Sequence, residues 1–169
     1  MENLVDMRDD RAVAGPAILF LCLGNICRSP LAEGAARAAF ARAGIDATLD
    51  SAGTGDWHVG HPPDTRAQAE ARRRGVDISA LRGRQLRRAD FYDFNLILAA
   101  DASNLRDARA IRPPDATAEL RLMLDLLPGR GGEGVTDPYY GEDDGFAATW
   151  DDVDAVAAAL VAEFSPSSG

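Results

Sequence analysis

The sequence predicts a single α/β domain built on a parallel sheet. Residues 17–23 and 94–100 are short, almost wholly apolar runs, the pattern of strands buried on both faces. Helical patterns alternate with them, which implies a layer sandwich joined by right-handed crossovers. At 169 residues, with 46% apolar and 27% charged, the chain can bury one core and fits neither a disordered nor a membrane class.

The elements follow in order. The first strand, 17–23, leads into a helix over 30–43, with Ser29 as its expected cap and Pro30 in its first turn. Glu33 lies early in that helix, where the dipole favours an acid, and Gly44 ends it. A second strand is expected over 48–52. A helix over 64–74, started by Asp64 or a neighbour, closes at Gly75. Residues 85–90 suit a short helix. The strand over 94–100 precedes a helix over 101–109, which the run Ile111-Arg112-Pro113-Pro114 stops. Residues 120–127 read as a strand, although Met123 and Leu124 also suit a helix. Phe146, Trp150, Val153, Val156, Leu160, Val161 and Phe164 recur mostly at helical spacing and define the last helix. Asp143, Asp144, Asp151, Asp152 and Asp154 enrich its first half in acid. The expected organisation is a loose extension over 1–15, one domain over 16–164 and a frayed tail over 165–169.

A net charge of −9 argues against nucleic acid or an anionic membrane as partner. No apolar run approaches the roughly 20 residues of a membrane span. Residues 1–15 lack the apolar core of a signal peptide. Two cysteines only five positions apart make no disulfide framework. The cytoplasm and a monomer are the expectations.

The chemistry concentrates in Cys22-Leu23-Gly24-Asn25-Ile26-Cys27-Arg28-Ser29-Pro30. A strand feeding a tight loop that opens onto a helix N-terminus makes an oxyanion cradle of backbone N–H groups. Backbone donors, the helix end and an arginine all stabilise a thiolate at Cys22, which can then attack a bound phosphoryl group. Arg28 supplies a bidentate fork for two phosphoryl oxygens. The Ser29 hydroxyl can donate to the Cys22 sulfur. Asn25 tolerates unusual backbone angles and can bridge backbone groups, and Gly24 permits close approach. The competing reading is a buried structural cysteine at a strand end.

Two-step displacement needs an acid for the leaving group and then a base for water. Asp137 suits both, after a glycine-rich loop and before the stiffening Pro138; an ordinary Asp-Pro turn is the alternative. Tyr139 and Tyr140 can wall a slot for an aryl phosphate. Trp57, in a glycine-flanked loop, is either another wall or part of the core. Asp101 reads as a support or helix-start residue rather than the acid. His58 and His61 make no metal set with the cysteines, so no metal is expected. Cys27 can trap an oxidised Cys22 as a disulfide, or simply pack behind the loop.

At these residues the chain resembles the low-molecular-weight protein-tyrosine phosphatases. The likeness runs through the Cys22–Pro30 loop, Ser51-Ala52-Gly53, Gly60-His61-Pro62-Pro63-Asp64-Thr65-Arg66, Arg84-Gln85, Asp90-Phe91, residues 101–107 and Asp137-Pro138-Tyr139-Tyr140-Gly141. It covers essentially 17–164. The resemblance implies a three-layer sandwich on a four-stranded parallel sheet, of the phosphotyrosine protein phosphatase I kind. It assigns Cys22 as nucleophile, Arg28 as phosphate clamp and Asp137 as acid and base. Leu23, Gly24, Asn25, Ile26, Cys27, Arg28 and Ser29 would form the phosphate loop. Ser29, Asn25 and Ser51 would support it, and Ile26, Trp57, Tyr139 and Tyr140 would line the entrance. No cofactor is implied. Expected partners are phosphotyrosine proteins, an autophosphorylating tyrosine kinase among them.

Ala100 departs from the methionine common before the aspartate in this family, and the N-terminal extension is longer than usual. Three rival functions share features of the site. Thiol-relay arsenate reductases need redox cysteines beyond the loop, and none follows Cys27. Phosphoarginine phosphatases tend to carry threonine at the position of Ile26. A phosphotyrosine- or oxyanion-binding module would not require Cys22 and Asp137.

Overall fold

A computed structural model describes residues 15–139 and 144–165. Most of the proposed extension (1–14), Tyr140, Asp143 and the tail (166–169) lie outside the described residues.

Four strands pair in parallel in the order β2-β1-β3-β4: β1 (Ala17–Cys22), β2 (Thr48–Gly53), β3 (Leu96–Ala99) and β4 (Glu119–Leu122). Side chains alternate across a strand, so β1 sends Ile18, Phe20 and Cys22 to one face and Leu19 and Leu21 to the other. The first set packs with α1 (Arg28–Ala43), α2 (Thr65–Arg73) and the last helix; the second packs with Phe91 and Ala108. All five of Ile18–Cys22 are buried, as a central parallel strand requires. The predicted three-layer α/β sandwich is the fold observed.

α1 lies close to the sheet because its buried face is mostly small: Leu31, Ala32, Ala35, Ala36, Ala39 and Phe40. Gly44 ends it in a left-handed conformation. Asp64 caps α2 by accepting from Arg66 N–H at 2.8 Å. The short helix expected over 85–90 sits later, as α3 (Asp90–Asp93). Gln85 instead bridges Gly53 beside the sheet. The strand expected over 120–127 is shorter: β4 ends at Leu122, and Met123–Leu126 turn into a 3-10 helix that buries Met123 and Leu124. α4 (Ala102–Ile111) is capped by Asp101. α5 (Asp144–Phe164) buries Phe146, Trp150, Val153, Val156 and Leu160, so its periodicity was a true core signal. Burying each such large side chain contributes about 1.5–3 kcal/mol.

β1 lies between β2 and β3, so the chain reverses direction across the sheet at β1. Ligands of open α/β sheets gather beyond the carboxyl ends of strands at such a switch point. Cys22, the last residue of β1, stands there.

Candidate active site

Residues 23–27 turn from β1 into α1. Asn25 makes the turn with φ 58, the one non-glycine residue at positive φ among the described residues. Gly53 lets the end of β2 approach this turn: a Cβ there would lie 2.8 Å from Leu23 O. Thr54 and Gly55 N–H donate to Cys22 O and Leu23 O, each at 2.9 Å, and lock the two segments together.

Asn25 is buried and uses its whole amide. Nδ2 donates to Ser29 Oγ at 2.8 Å and Ser51 Oγ at 3.0 Å, while Oδ1 accepts from Arg84 N–H at 3.0 Å. Because Ser29 Oγ already accepts from Asn25, its single hydrogen remains to donate. Cys22 Sγ lies 3.1 Å away and Ala52 O 3.5 Å, so the sulfur is the better acceptor. Asn25 N–H also donates to Cys22 Sγ, at 3.3 Å. The sulfur therefore receives two donors.

Ser29 is not the helix cap the sequence suggests. α1 begins at Arg28; Cys27 occupies the cap position, and no side chain caps that end. No capping side chain takes up the N–H groups of Arg28 and Ser29, which suits an anion; Pro30 has no N–H, and Leu31 N–H donates to Cys27 O at 3.1 Å. Glu33 likewise has a role other than meeting the dipole. It is buried, accepts from Ser51 Oγ at 2.7 Å and from Arg37 Nε at 2.8 Å. Burial pushes its carboxyl above the usual range, against the opposing hydrogen bonds of Ser51 and Arg37.

Arg28 is 3% exposed at a helix N-terminus, where a cation is disfavoured. Nη1 donates to Asp101 Oδ2 at 2.7 Å and Val135 O at 3.0 Å, and Nη2 lies 3.7 Å from Asp137 Oδ2. Burial pushes the Asp101 carboxyl up, but hydrogen bonds from Arg28 and Asn104 outweigh it and leave it below the usual range. Asp101 is thus both helix start and support, as its position after β3 suggested. Asp137 is partly exposed and turns Oδ1 to accept from Tyr139 N–H at 3.0 Å.

These groups meet in a cleft of about 320 Å³. Cys22, Arg28 and Asp137 lie in it, with Leu23, Gly24, Ile26 and Cys27 from the loop and Trp57 and Tyr139 on its walls. Trp57 is 65% exposed, which rules out the core alternative. Asn25, Ser29 and Ser51 are buried together in the hydrogen-bond network behind the loop. Burial pushes the Cys27 thiol well above its ordinary value, and Asp64, Cys22 and Asp137 add to the shift.

Sequence reasoning missed His58, which lines the cleft against Gly24 and pairs Nδ1 to Nδ1 with His61 at 3.3 Å. It also missed Arg84, whose side chain bonds Asp90 at 3.0 and 3.1 Å and Asp50 at 3.1 Å while its N–H holds Asn25. The available signal for that pair was the likeness at Arg84-Gln85 and Asp90-Phe91; the burial of Asp90 shows only in the structure. Among the described residues no three His, Cys, Asp or Glu side chains cluster as metal ligands, and no helix is long and apolar enough to cross a membrane.

Residues 17–167 match the family model for low molecular weight phosphotyrosine protein phosphatase. A low molecular weight phosphotyrosine protein phosphatase of Schizosaccharomyces pombe is 42% identical over 132 residues, 76% of this chain and 84% of its own. The crystal structure of Primo-1 superposes with TM-score 0.82 at 34% identity, covering 88% of this chain and 97% of the other. A Drosophila arginine phosphatase, DARP, also superposes with TM-score 0.82, at 30% identity, covering 88% and 98%. Likeness of this extent, in sequence and in fold, makes the chain a member of the low molecular weight phosphotyrosine protein phosphatase family.

Proposed function

We propose that this chain is a protein-tyrosine phosphatase that hydrolyses phosphotyrosine through a phosphocysteine intermediate. The observation that carries this reading is the Cys22 sulfur, held by Ser29 Oγ at 3.1 Å and Asn25 N–H at 3.3 Å in a cleft shared with Arg28 and Asp137. A merely structural cysteine needs neither donor.

In the first step the Cys22 thiolate attacks phosphorus and the bond to the tyrosyl oxygen breaks. Asp137 gives that oxygen its proton. In the second, the Asp137 carboxylate takes a proton from water, whose oxygen attacks phosphorus. The sulfur–phosphorus bond breaks, and Ser29 supports the departing thiolate. Arg28 binds two phosphoryl oxygens throughout, and its hold on Asp101 and Val135 keeps the fork in place. Leu23, Gly24, Asn25, Ile26, Cys27 and Ser29 complete the phosphate loop, and Ile26, Trp57 and Tyr139 frame the aryl group. Cys27 acts as the redox guard of Cys22. The natural substrate is a phosphotyrosine protein, with an autophosphorylating tyrosine kinase as one candidate, and the cytoplasm is the proposed location.

The resemblance to a Drosophila arginine phosphatase keeps phosphoarginine as a second reading. Ile26 in the cleft opposes it by filling space beside a planar guanidino group. The test is turnover of a phosphotyrosine peptide, a phosphoarginine peptide and arsenate with thiol, by wild type and Cys22→Ser. Phosphate release from the tyrosine peptide that disappears in Cys22→Ser is expected. Preference for phosphoarginine or arsenate moves the chain to that branch, and no turnover of any leaves a binding module.

A further inference from the structure

Arg66 ties the anion loop to the segment that carries Asp137. Its Nε donates to Asp64 Oδ1 and its Nη2 to Asp64 Oδ2, each at 3.1 Å, and Nη2 also donates to Tyr139 O at 2.9 Å. Asp64 N–H donates to Ile26 O at 2.9 Å, which fixes this pair to the loop. Tyr139 N–H in turn donates to Asp137 Oδ1 at 3.0 Å. The Arg66 guanidinium lies over the rings of Phe146, at 4.8 Å, and Tyr139, at 5.6 Å, so its plane is held by packing too. Burial pushes the Asp64 carboxyl up, yet the Arg66 contacts outweigh it and leave it below the usual range, so the pair is formed as ions.

Asp137 needs such a strut. Residues 133–138 have no regular structure to orient it. Upstream, Val135 is anchored: its N–H donates to Ala100 O at 2.8 Å and its carbonyl accepts from Arg28. Thr149 Oγ1 lies 3.2 Å from Thr136 O, but its one hydrogen has the nearer acceptor in Gly145 O at 2.9 Å, so the upstream anchor is Val135. Downstream, the Tyr139 carbonyl is anchored by Arg66. The acid is therefore bracketed on both sides, and the downstream bracket is referred to the same loop that carries Cys22.

We infer that Arg66 is a positioning residue that sets Asp137 over the leaving-group oxygen. This rests on the acid role of Asp137 proposed above. Arg66 touches no reacting atom, and its effect passes through the Tyr139 backbone.

The two aryl phosphates that test it differ in their need for a proton. Tyrosyl phosphate has a basic leaving oxygen that leans heavily on the acid, whereas the less basic p-nitrophenolate depends on it less. The readout is kcat/KM, which reports the steps up to cleavage of the ester bond. Misplacing a catalytic group by about 1 Å costs on the order of 100-fold. Arg66→Ala should therefore lose about 10- to 100-fold on a phosphotyrosine peptide and markedly less on p-nitrophenyl phosphate. Alkylation of Cys22 by iodoacetate should keep its rate. Arg66→Lys keeps the charge but not the fork; it should show the same selective loss in smaller degree and serves if the alanine variant folds poorly. Equal losses on both substrates, or no loss, overturn the inference. Asp137→Ala runs beside them. If it shows no selective loss, the acid reading itself fails; if it does and neither Arg66 variant follows, only the positioning role fails.

Discussion

Asp101 holds the buried Arg28 guanidinium at 2.7 Å with one carboxylate oxygen and caps α4 with the other, accepting Asn104 N–H at 2.8 Å. A single residue at the end of β3 thus fixes both a helix start and the cation of the candidate site. The pairing also offsets the penalty of a buried cation at the N-terminus of α1.

Asp101→Asn separates the two jobs, because asparagine caps a helix as well as aspartate does. The variant should lose about 2 kcal/mol of stability, between the values for exposed and buried pairs, and should weaken phosphate binding. The folded carboxyl titrates below its unfolded value. Its contribution is present above roughly pH 4 and is lost as pH falls through the lower folded value. Unfolding midpoints of the two proteins should therefore converge on acidification. A gap that stays constant down to pH 2 contradicts the ion-pair account.

Asn25 combines a left-handed backbone with three side-chain hydrogen bonds, and two substitutions distinguish these. Asn25→Gly removes the amide and frees the backbone; Asn25→Ala also removes the amide but keeps a Cβ at φ 58, which costs about 1–2 kcal/mol relative to glycine. Denaturant unfolding should rank glycine above alanine by that margin. Turnover should fall in both by a similar factor, since both lose the donor to Ser29. Full activity in Asn25→Gly would show that the amide network is dispensable.

The Trp57 ring lies against Gly55 so closely that a Cβ there would meet ring atom Cζ3 at 1.9 Å. The ring is exposed and can swing away, so Gly55→Ala should change stability little while displacing one wall of the cleft. KM for a phosphotyrosine peptide should rise several-fold, with inhibition by inorganic phosphate unchanged. Unaltered KM would mean that Trp57 does not contact the substrate.

Cys27 sits beside Arg28 as a buried free thiol whose pKa is raised, chiefly by burial. Hydrogen peroxide converts the Cys22 thiolate to a sulfenic acid. Attack by Cys27 then expels water and leaves a disulfide that added thiol reduces. Exchange proceeds through the thiolate, so trapping should be slow at neutral pH and quicken as pH rises. Recovery of activity after a peroxide pulse should be lower in Cys27→Ser. Identical recovery ends the protective role.

Much of this molecule is legible in one dimension. The apolar runs of β1 and β3, the spacing along α5, and the Gly44 stop depend on local sequence, because strand and helix periods are local properties of the backbone. The loop motif is legible for the same reason: residues 22–29 are contiguous in sequence and lead from β1 into α1. The boundaries at 85–93 and 119–126 were less legible. There the backbone follows tertiary pairing, with Gln85 drawn to Gly53 and the chain leaving the sheet at Leu122. The sequence by itself determined the fold class and the loop that carries Cys22 and Arg28. Only the tertiary structure decided which distant groups reach them: Asp101 across 73 positions, Val135 across 107, Arg84 on Asn25 across 59 and Arg66 on Tyr139 across 73. The reason is physical. Hydrogen bonds and ion pairs act within a few ångströms, and which residues come that close is set by the packing of the sheet and its helices.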